Sequence, residues 1–210
     1  MSAPRQSRRS RADARARRTQ AERREISRSK LLESAARELS RYGYANLLME
    51  RVARAAGYTR GAIYHQFPSK QELALAVIAW LVEAWRRDVA PQIEQGDGVA
   101  KALLRLAGGY ARMCRRDIAR APLALRVEFS GRPEHPVGRA VEDSYQVLLR
   151  RCAELIAAGR ADGSIPAGPP PAVVALAFVG ALEGTVIATA GRCPHDEALA
   201  IRAAAGVLGF

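Results

Sequence analysis

The stretch Gly57-Tyr58-Thr59-Arg60-Gly61-Ala62-Ile63-Tyr64-His65-Gln66-Phe67-Pro68-Ser69-Lys70 holds a turn, a short helix and the start of a longer one. Just upstream, Leu48, Val52 and Ala56 stand at i, i+4 and i+8. That spacing predicts a short helix that buries one stripe before Gly57 supplies the turn. Thr59 is a good N-cap, and Tyr58 before it is placed to staple onto Ile63 one turn into the next helix. This second helix is short, because Pro68 disfavours helical geometry at Phe67. Ser69-Lys70-Gln71-Glu72 then has the capping-box pattern that opens a longer helix. Two short helices around a tight glycine turn read as a helix-turn-helix.

Upstream, Ile26, Leu31, Leu32, Ala35, Ala36 and Leu39 keep a helical period that stops at Gly43. Downstream of Ser69, Leu73, Val77, Trp80, Leu81 and Ala84 share one side of a helix that runs to about Arg87, before Pro91. Further amphipathic segments follow beyond Gly98, from Pro122 to Phe129, and over Val141 to Leu155. Helices over residues 172–190 and from about Asp196 close the chain. No run alternates with period two, so the fold class is all-α, with about nine helices. Residues 172–190 approach transmembrane length, and Gly180-x-x-x-Gly184 matches a membrane dimerisation motif. Glu183 argues against spanning, since it would sit mid-bilayer. The expected setting is a helix buried between its own core and a partner subunit.

The net charge is +12, of which +10 lies in residues 1–90 and +2 in residues 91–210. Arg outnumbers Lys thirty to three, which reflects codon usage as readily as function, but codon usage does not explain the asymmetry between the halves. The positive field belongs to the half with the helix-turn-helix. Residues 1–22 have no apolar stripe and are expected to form a disordered basic arm. Cys114, Cys152 and Cys193 suggest neither a disulfide framework nor a paired metal site, which fits a reducing cytoplasm. The three histidines, His65, His135 and His195, form no metal-protease, nucleophile-elbow or phosphate-loop pattern, so no enzyme and no cofactor is expected.

Gly43-Tyr44, Val52-Ala53, Ala56-Gly57, Gly61, Ile63-Tyr64, Phe67 and Lys70 together resemble the DNA-binding domain of the TetR (tetracycline-repressor) family. The resemblance runs from about Ile26 to Val82. Leu47 and Leu48 depart from it, standing where that family usually places Thr or Ser, which leaves Asn46 as the candidate cap of the second helix. The resemblance implies a helix-turn-helix domain over residues 23–87, with the motif at about 48–67, and an effector-binding and dimerisation domain over 88–210. It also implies a cytoplasmic, homodimeric, ligand-responsive transcriptional regulator, a repressor released from a palindromic DNA operator by a small-molecule effector. The alternative is an architectural, nucleoid-type DNA binder without such a switch.

By the same resemblance Tyr64, His65 and Lys70 grip phosphates, contacts that fix register without reading sequence. Thr59 caps its helix and touches a phosphate. Arg60 is the candidate base contact, since a guanidinium pairs bidentately with guanine O6 and N7. Gly61 allows close backbone approach. In the arm, Arg8, Arg9, Arg11, Arg15, Arg17 and Arg18 are candidates for an adjacent minor groove. Trp80, Trp85, Tyr110, Met113, Phe129, Tyr145 and Phe178 line a candidate effector pocket, with simple core packing as the other reading of each. Glu183, an acid in an apolar helix, must be paired, protonated or exposed, and facing a pocket it would favour a cationic or hydrogen-bonding effector. Gly180, Gly184 and Val207 are candidates for the dimer interface.

Overall fold

The computed structural model describes residues 5–93, 98–189 and 195–210, with side chains from residue 20 onward apart from residues 21 and 92. Among the described residues the chain is helical and has no strand. The helices are α1 (Arg5–Tyr42), α2 (Met49–Ala55), α3 (Arg60–Gln66), α4 (Lys70–Asp88), α5 (Ala90–Ile93), α6 (Val99–Cys114), α7 (Ala121–Glu128), α8 (Pro136–Ala161), α9 (Pro171–Thr189) and α10 (His195–Leu208). A 3-10 turn at Asp117–Arg120 precedes α7. The helix not expected is the single turn α5.

Helix ends follow local chemistry. Gly43 and Gly57 take φ of 71° and 79°, left-handed values that end α1 and turn α2 into α3. The Thr59 hydroxyl accepts from the Ala62 amide at 3.3 Å, and the Ser69 hydroxyl accepts from the Glu72 amide at 3.1 Å. Phe67, before Pro68, is extended at φ −136°. A disordered arm was expected over residues 1–22; residues 1–4 lie outside the described residues, and from Arg5 onward the backbone continues α1. Residues 5–22 contain no Gly or Pro and are rich in Arg, Ala and Gln, all good helix formers. Extending a helix already nucleated in the core needs no apolar face of its own.

Two clusters of buried side chains organise the molecule. The first joins Leu31, Leu39, Val52, Ile63 and Leu73 of α1–α4 to Ile118, Leu125, Phe129 and Val141, so the helix-turn-helix unit shares its core with α7 and the start of α8. The second is built by α6, α8, α9 and α10 around Leu103, Cys152, Ile156, Phe178 and Leu182. Helix α9 is long and apolar enough, by length and composition, to cross a membrane. One of its faces is core, with Ala175, Phe178 and Leu182 wholly buried. The other, carrying Val173, Leu176, Gly180, Gly184 and Ile187, is open.

Candidate nucleic-acid interface and an apolar cavity

Helix α3 is fixed by Ile63, its single buried residue, and by the Thr59 cap. Arg60, Tyr64 and His65 face outward, while the Gln66 amide donates to the Ser27 hydroxyl of α1 at 3.1 Å. Arg60 is exposed, and its Nε lies 3.1 Å from Glu50 Oε1 of α2, with the guanidinium 5.6 Å from the centre of the Tyr64 ring. The Tyr64 hydroxyl donates to the same Glu50 oxygen at 3.2 Å. One carboxylate therefore holds the candidate base reader and a candidate phosphate ligand side by side. A backbone hydrogen bond at the start of α2 holds the Glu50 carboxyl below its usual range, and the Tyr64 hydroxyl and Arg60 charge add to this. His65 and Gly61 are exposed beside them. A Cβ on Gly61 would meet nothing closer than the Thr59 hydroxyl at 4.0 Å, so no contact inside the protein requires glycine there.

Lys70 and Asn46 each hydrogen-bond to a backbone carbonyl at the surface of the protein. Lys70 Nζ donates to the Ala45 carbonyl at 2.8 Å and lies 4.5 Å from the centre of the Tyr44 ring, bracing the α1–α2 turn. Asn46 does not cap α2. Its side-chain amide donates to the Tyr42 carbonyl at 3.1 Å, closing the end of α1, while α2 starts at Leu48 without a side-chain cap. A four-residue reach backwards satisfies a free carbonyl as well as a forward cap satisfies an amide. The arm arginines Arg8, Arg9, Arg11, Arg15, Arg17 and Arg18 lie outside the residues whose side chains are described.

The same turn is gripped from the other half of the molecule. Glu128, the last residue of α7, accepts from the backbone amides of Tyr44 and, at 2.6 Å, Ala45. Phe129 and His135 stack at 4.3 Å and pack against the Tyr44 ring. Arg41 near the end of α1 pairs with Asp117 at 3.0 Å.

Two residues before Glu128, Arg126 faces the opposite way, into a cavity of about 470 Å3 bounded by α4, α6, α7, α8 and α9. The lining is mainly apolar, from Ile78, Leu81, Leu106, Met113, Val141 and Leu148, and its polar members are Arg86, Arg126, Asp143, Ser144, Tyr145, Arg151 and Glu183, with Tyr110. Arg126 Nη1 donates to both oxygens of Glu183, at 2.9 and 3.2 Å. Its guanidinium lies 3.2 Å from the Tyr145 ring centre. Burial pushes the Glu183 carboxyl above its usual range, and Arg126 opposes that shift. Burial likewise pushes the Cys114 and Cys152 thiols up to about 12, so both stay protonated and unreactive. Among the described residues no group of His, Cys, Asp and Glu could hold a metal ion. Cys193 lies outside them.

Residues 31–77 match the family model for bacterial regulatory proteins of the tetR family. Those residues form a TetR-family DNA-binding domain. The HTH-type transcriptional regulator CymR of Pseudomonas putida is 48% identical over 67 residues, which is 32% of this chain and 33% of CymR. The chain thus matches about a third of that relative's length. Among solved structures, SCO4454, a TetR-family regulator from Streptomyces coelicolor, has a TM-score of 0.72 at 24% identity, covering 88% of this chain and 95% of that one. AibR in complex with isovaleryl coenzyme A and operator DNA also has a TM-score of 0.72, at 17% identity, covering 87% and 98%. At these identities the two structures establish the shared fold.

Of the pocket candidates, Trp85, Tyr110, Met113, Tyr145 and Glu183 line the cavity. Three do not. Trp80 packs on the first core, Phe129 lies in the Tyr44–His135 aromatic cluster, and Phe178 is wholly buried in the second core. Aromatic residues at helical spacing mark a buried face, and spacing alone does not separate core from cavity wall. Glu183 meets Arg126, so a cationic effector would have to compete with a charge already there. Arg126, Glu128 and Glu50 make contacts that the sequence reading missed. Each meets a partner on another helix or turn, and the one early signal was the lone arginine inside the apolar run Leu123 to Val127.

On the outer side of α9 and α10, Cβ atoms at Gly180, Gly184 and Gly206 would meet nothing within 4 Å. Their smallness serves no contact inside the protomer. Val207 is half-buried against the second core, and Leu199 and Phe210 are exposed apolar residues of this end.

Proposed function

We propose that the protein is a homodimeric, ligand-responsive repressor that binds a palindromic operator through paired α3 helices and leaves it when a small molecule fills the cavity. The observation that carries the ligand response is the double duty of α7. Arg126 reaches into the cavity, while Glu128, two residues on, holds the turn that places α2 and Lys70. A ligand that binds better to one position of α7 shifts the operator-competent population by its ratio of affinities, and by no more. The open apolar stripe of α9 and α10, with three glycines that no internal contact requires, supports a four-helix dimer interface. A symmetric pair of domains then matches two inverted half-sites.

Thr59, Arg60, Tyr64, His65 and Lys70 form the DNA face in this reading. Arg60 and Tyr64 leave Glu50 for the operator. The basic arm extends the charge of that face along the duplex. Footprinting over the DNA flanking the gene, with sedimentation of the same sample, tests the proposal. The expected outcome is a dimer protecting one palindrome, with a dimer weakened at least tenfold by Gly180→Phe. Uniform coating of DNA would favour the architectural alternative, and a monomer at micromolar concentration would remove the interface.

A further inference from the structure

We infer that the cavity takes an uncharged, mainly apolar small molecule. The inference rests on the ligand-responsive reading above and deepens it by naming the class of effector. The charges of the wall decide it. Arg126 Nη1 donates to both oxygens of Glu183, at 2.9 and 3.2 Å. Arg126 Nε is closed to solvent and so to the cavity, and lies 3.7 Å from Glu142 Oε2. Arg86 pairs with Glu83 at 2.7 Å, and Arg151 with Glu154 at 3.3 Å. Each arginine of the wall thus has an acid of the protein beside it. Asp143, the other charged group there, is exposed to water.

Charged ligands fit less well. An anion would have to draw an arginine away from its acid, and would then lie beside that acid with like charges together. A cation would meet three arginines in the wall. The exchange is hardest at Arg126, because its pair with Glu183 is the least exposed of the three. Charge removed from water is costly unless it stays paired. An uncharged molecule incurs neither cost, and its apolar body takes Ile78, Leu81, Leu106 and Leu148 out of contact with water. One hydroxyl on such a molecule is tolerated. The Ser144 hydroxyl in the wall donates to the Ala140 carbonyl at 2.9 Å, and its oxygen can still accept. At about 30 Å3 per water-sized group, the 470 Å3 cavity has room for about 15 non-hydrogen atoms.

Isothermal titration of the full-length protein at pH 7 with octan-1-ol, octanoate and octylamine tests this, since the three share a tail and differ in the charge of the head. Octanol is expected to bind at least about tenfold more tightly than either ion. Glu183→Gln leaves Arg126 without its hydrogen-bonded acid and should turn the preference round, with octanoate gaining at least about tenfold on octanol. Adding Arg126→Gln to Glu183→Gln restores neutrality and should bring the preference for octanol back. Octanoate or octylamine binding as tightly as octanol to the wild-type protein overturns the inference. So does an octanol preference that Glu183→Gln leaves as it was, or no binding of any of the three. Trp85 lines the cavity, and in a Trp80→Phe background its emission should shift when octanol binds. Unchanged emission would put the alcohol elsewhere and also overturn the inference. If Glu183→Gln does not fold, judged by circular dichroism, the wild-type order and the double variant decide. Release of DNA selected by the protein is measured separately. Octanol that binds in the cavity without releasing DNA would sink the ligand-responsive reading and leave the site for an uncharged molecule standing.

Discussion

The two ends of the molecule hold the same three side chains in two different media. On the outer face, Glu50 pairs with Arg60, and Arg60 lies over Tyr64. In the cavity, Glu183 pairs with Arg126, and Arg126 lies over Tyr145. The first pair has side chains 73% and 42% exposed, the second 23% and 17%. In water such a pair is screened and worth about 0–1 kcal/mol, so phosphates and base edges can replace it at little cost. Away from water the same pair is hard to break, and an acceptor that enters must match the charge and geometry it meets. In the proposed function the outer triad is therefore a holder that gives way to DNA, and the inner one is a selector. Helix α7 joins them, with Arg126 in the inner triad and Glu128 on the turn beside the outer face.

The contrast can be broken first at its dry end. Arg126→Ala leaves the Glu183 carboxylate without its partner, and should lower unfolding free energy by about 3 kcal/mol at pH 7, the scale of a broken buried pair, read from urea denaturation. The pH dependence has a definite sign. Burial holds the folded-state pKa of Glu183 above its unfolded value, and loss of Arg126 raises it further. A group raised in this way binds a proton more readily when folded, so stability is lost as pH rises through the folded value. The deficit of Arg126→Ala should therefore shrink from pH 7 towards pH 5. An equal deficit at both would show that lost packing, and not the unpaired acid, is the cause.

The link between the ends is the next place to test. Glu128→Gln keeps the shape but offers one oxygen and no charge to the amides of Tyr44 and Ala45. A loss of about 1–2 kcal/mol is expected from a charge-assisted bond to a neutral one, together with faster amide exchange at Tyr44 and Ala45. Unchanged exchange there would separate α7 from the turn. The smallest effect belongs to the wet end. Glu50→Gln should change stability by no more than about 0.5 kcal/mol, and should tighten DNA binding, because one negative charge leaves the face that meets phosphates. Weaker DNA binding in Glu50→Gln would mean that Glu50 aligns Arg60 in the complex as well as in the free protein.

The outer end was largely legible in the sequence and the inner end only in part, for a physical reason. Turn, cap and helix stop around α3 are settled by residues within a few positions of one another, namely Gly57, Thr59, Pro68 and Ser69, so their chemistry can be read in order. The cavity depends on Arg126 meeting Glu183, 57 positions away, and on α4, α6 and α8 leaving space between them. Periodicity locates the buried face of each helix, which is why Phe178 and Tyr145 looked alike, though one is core and the other is cavity wall. Asn46 shows the same limit at close range. Its type announces a cap, but the helix it caps is α1 behind it and not α2 ahead. The arm is the converse case, where the absence of an apolar face was read as disorder although helix propensity alone carries α1 back to Arg5.

Selection of bound sequences from a random DNA pool, by the wild-type protein and by Arg60→Ala, tests the account most directly. Two inverted half-sites are expected for the wild type. Arg60→Ala should keep the symmetry and lose preference at one position in each half, by about 1–3 kcal/mol of discrimination. A wild-type pool without inverted symmetry, or an Arg60→Ala pool with every preference intact, would contradict it.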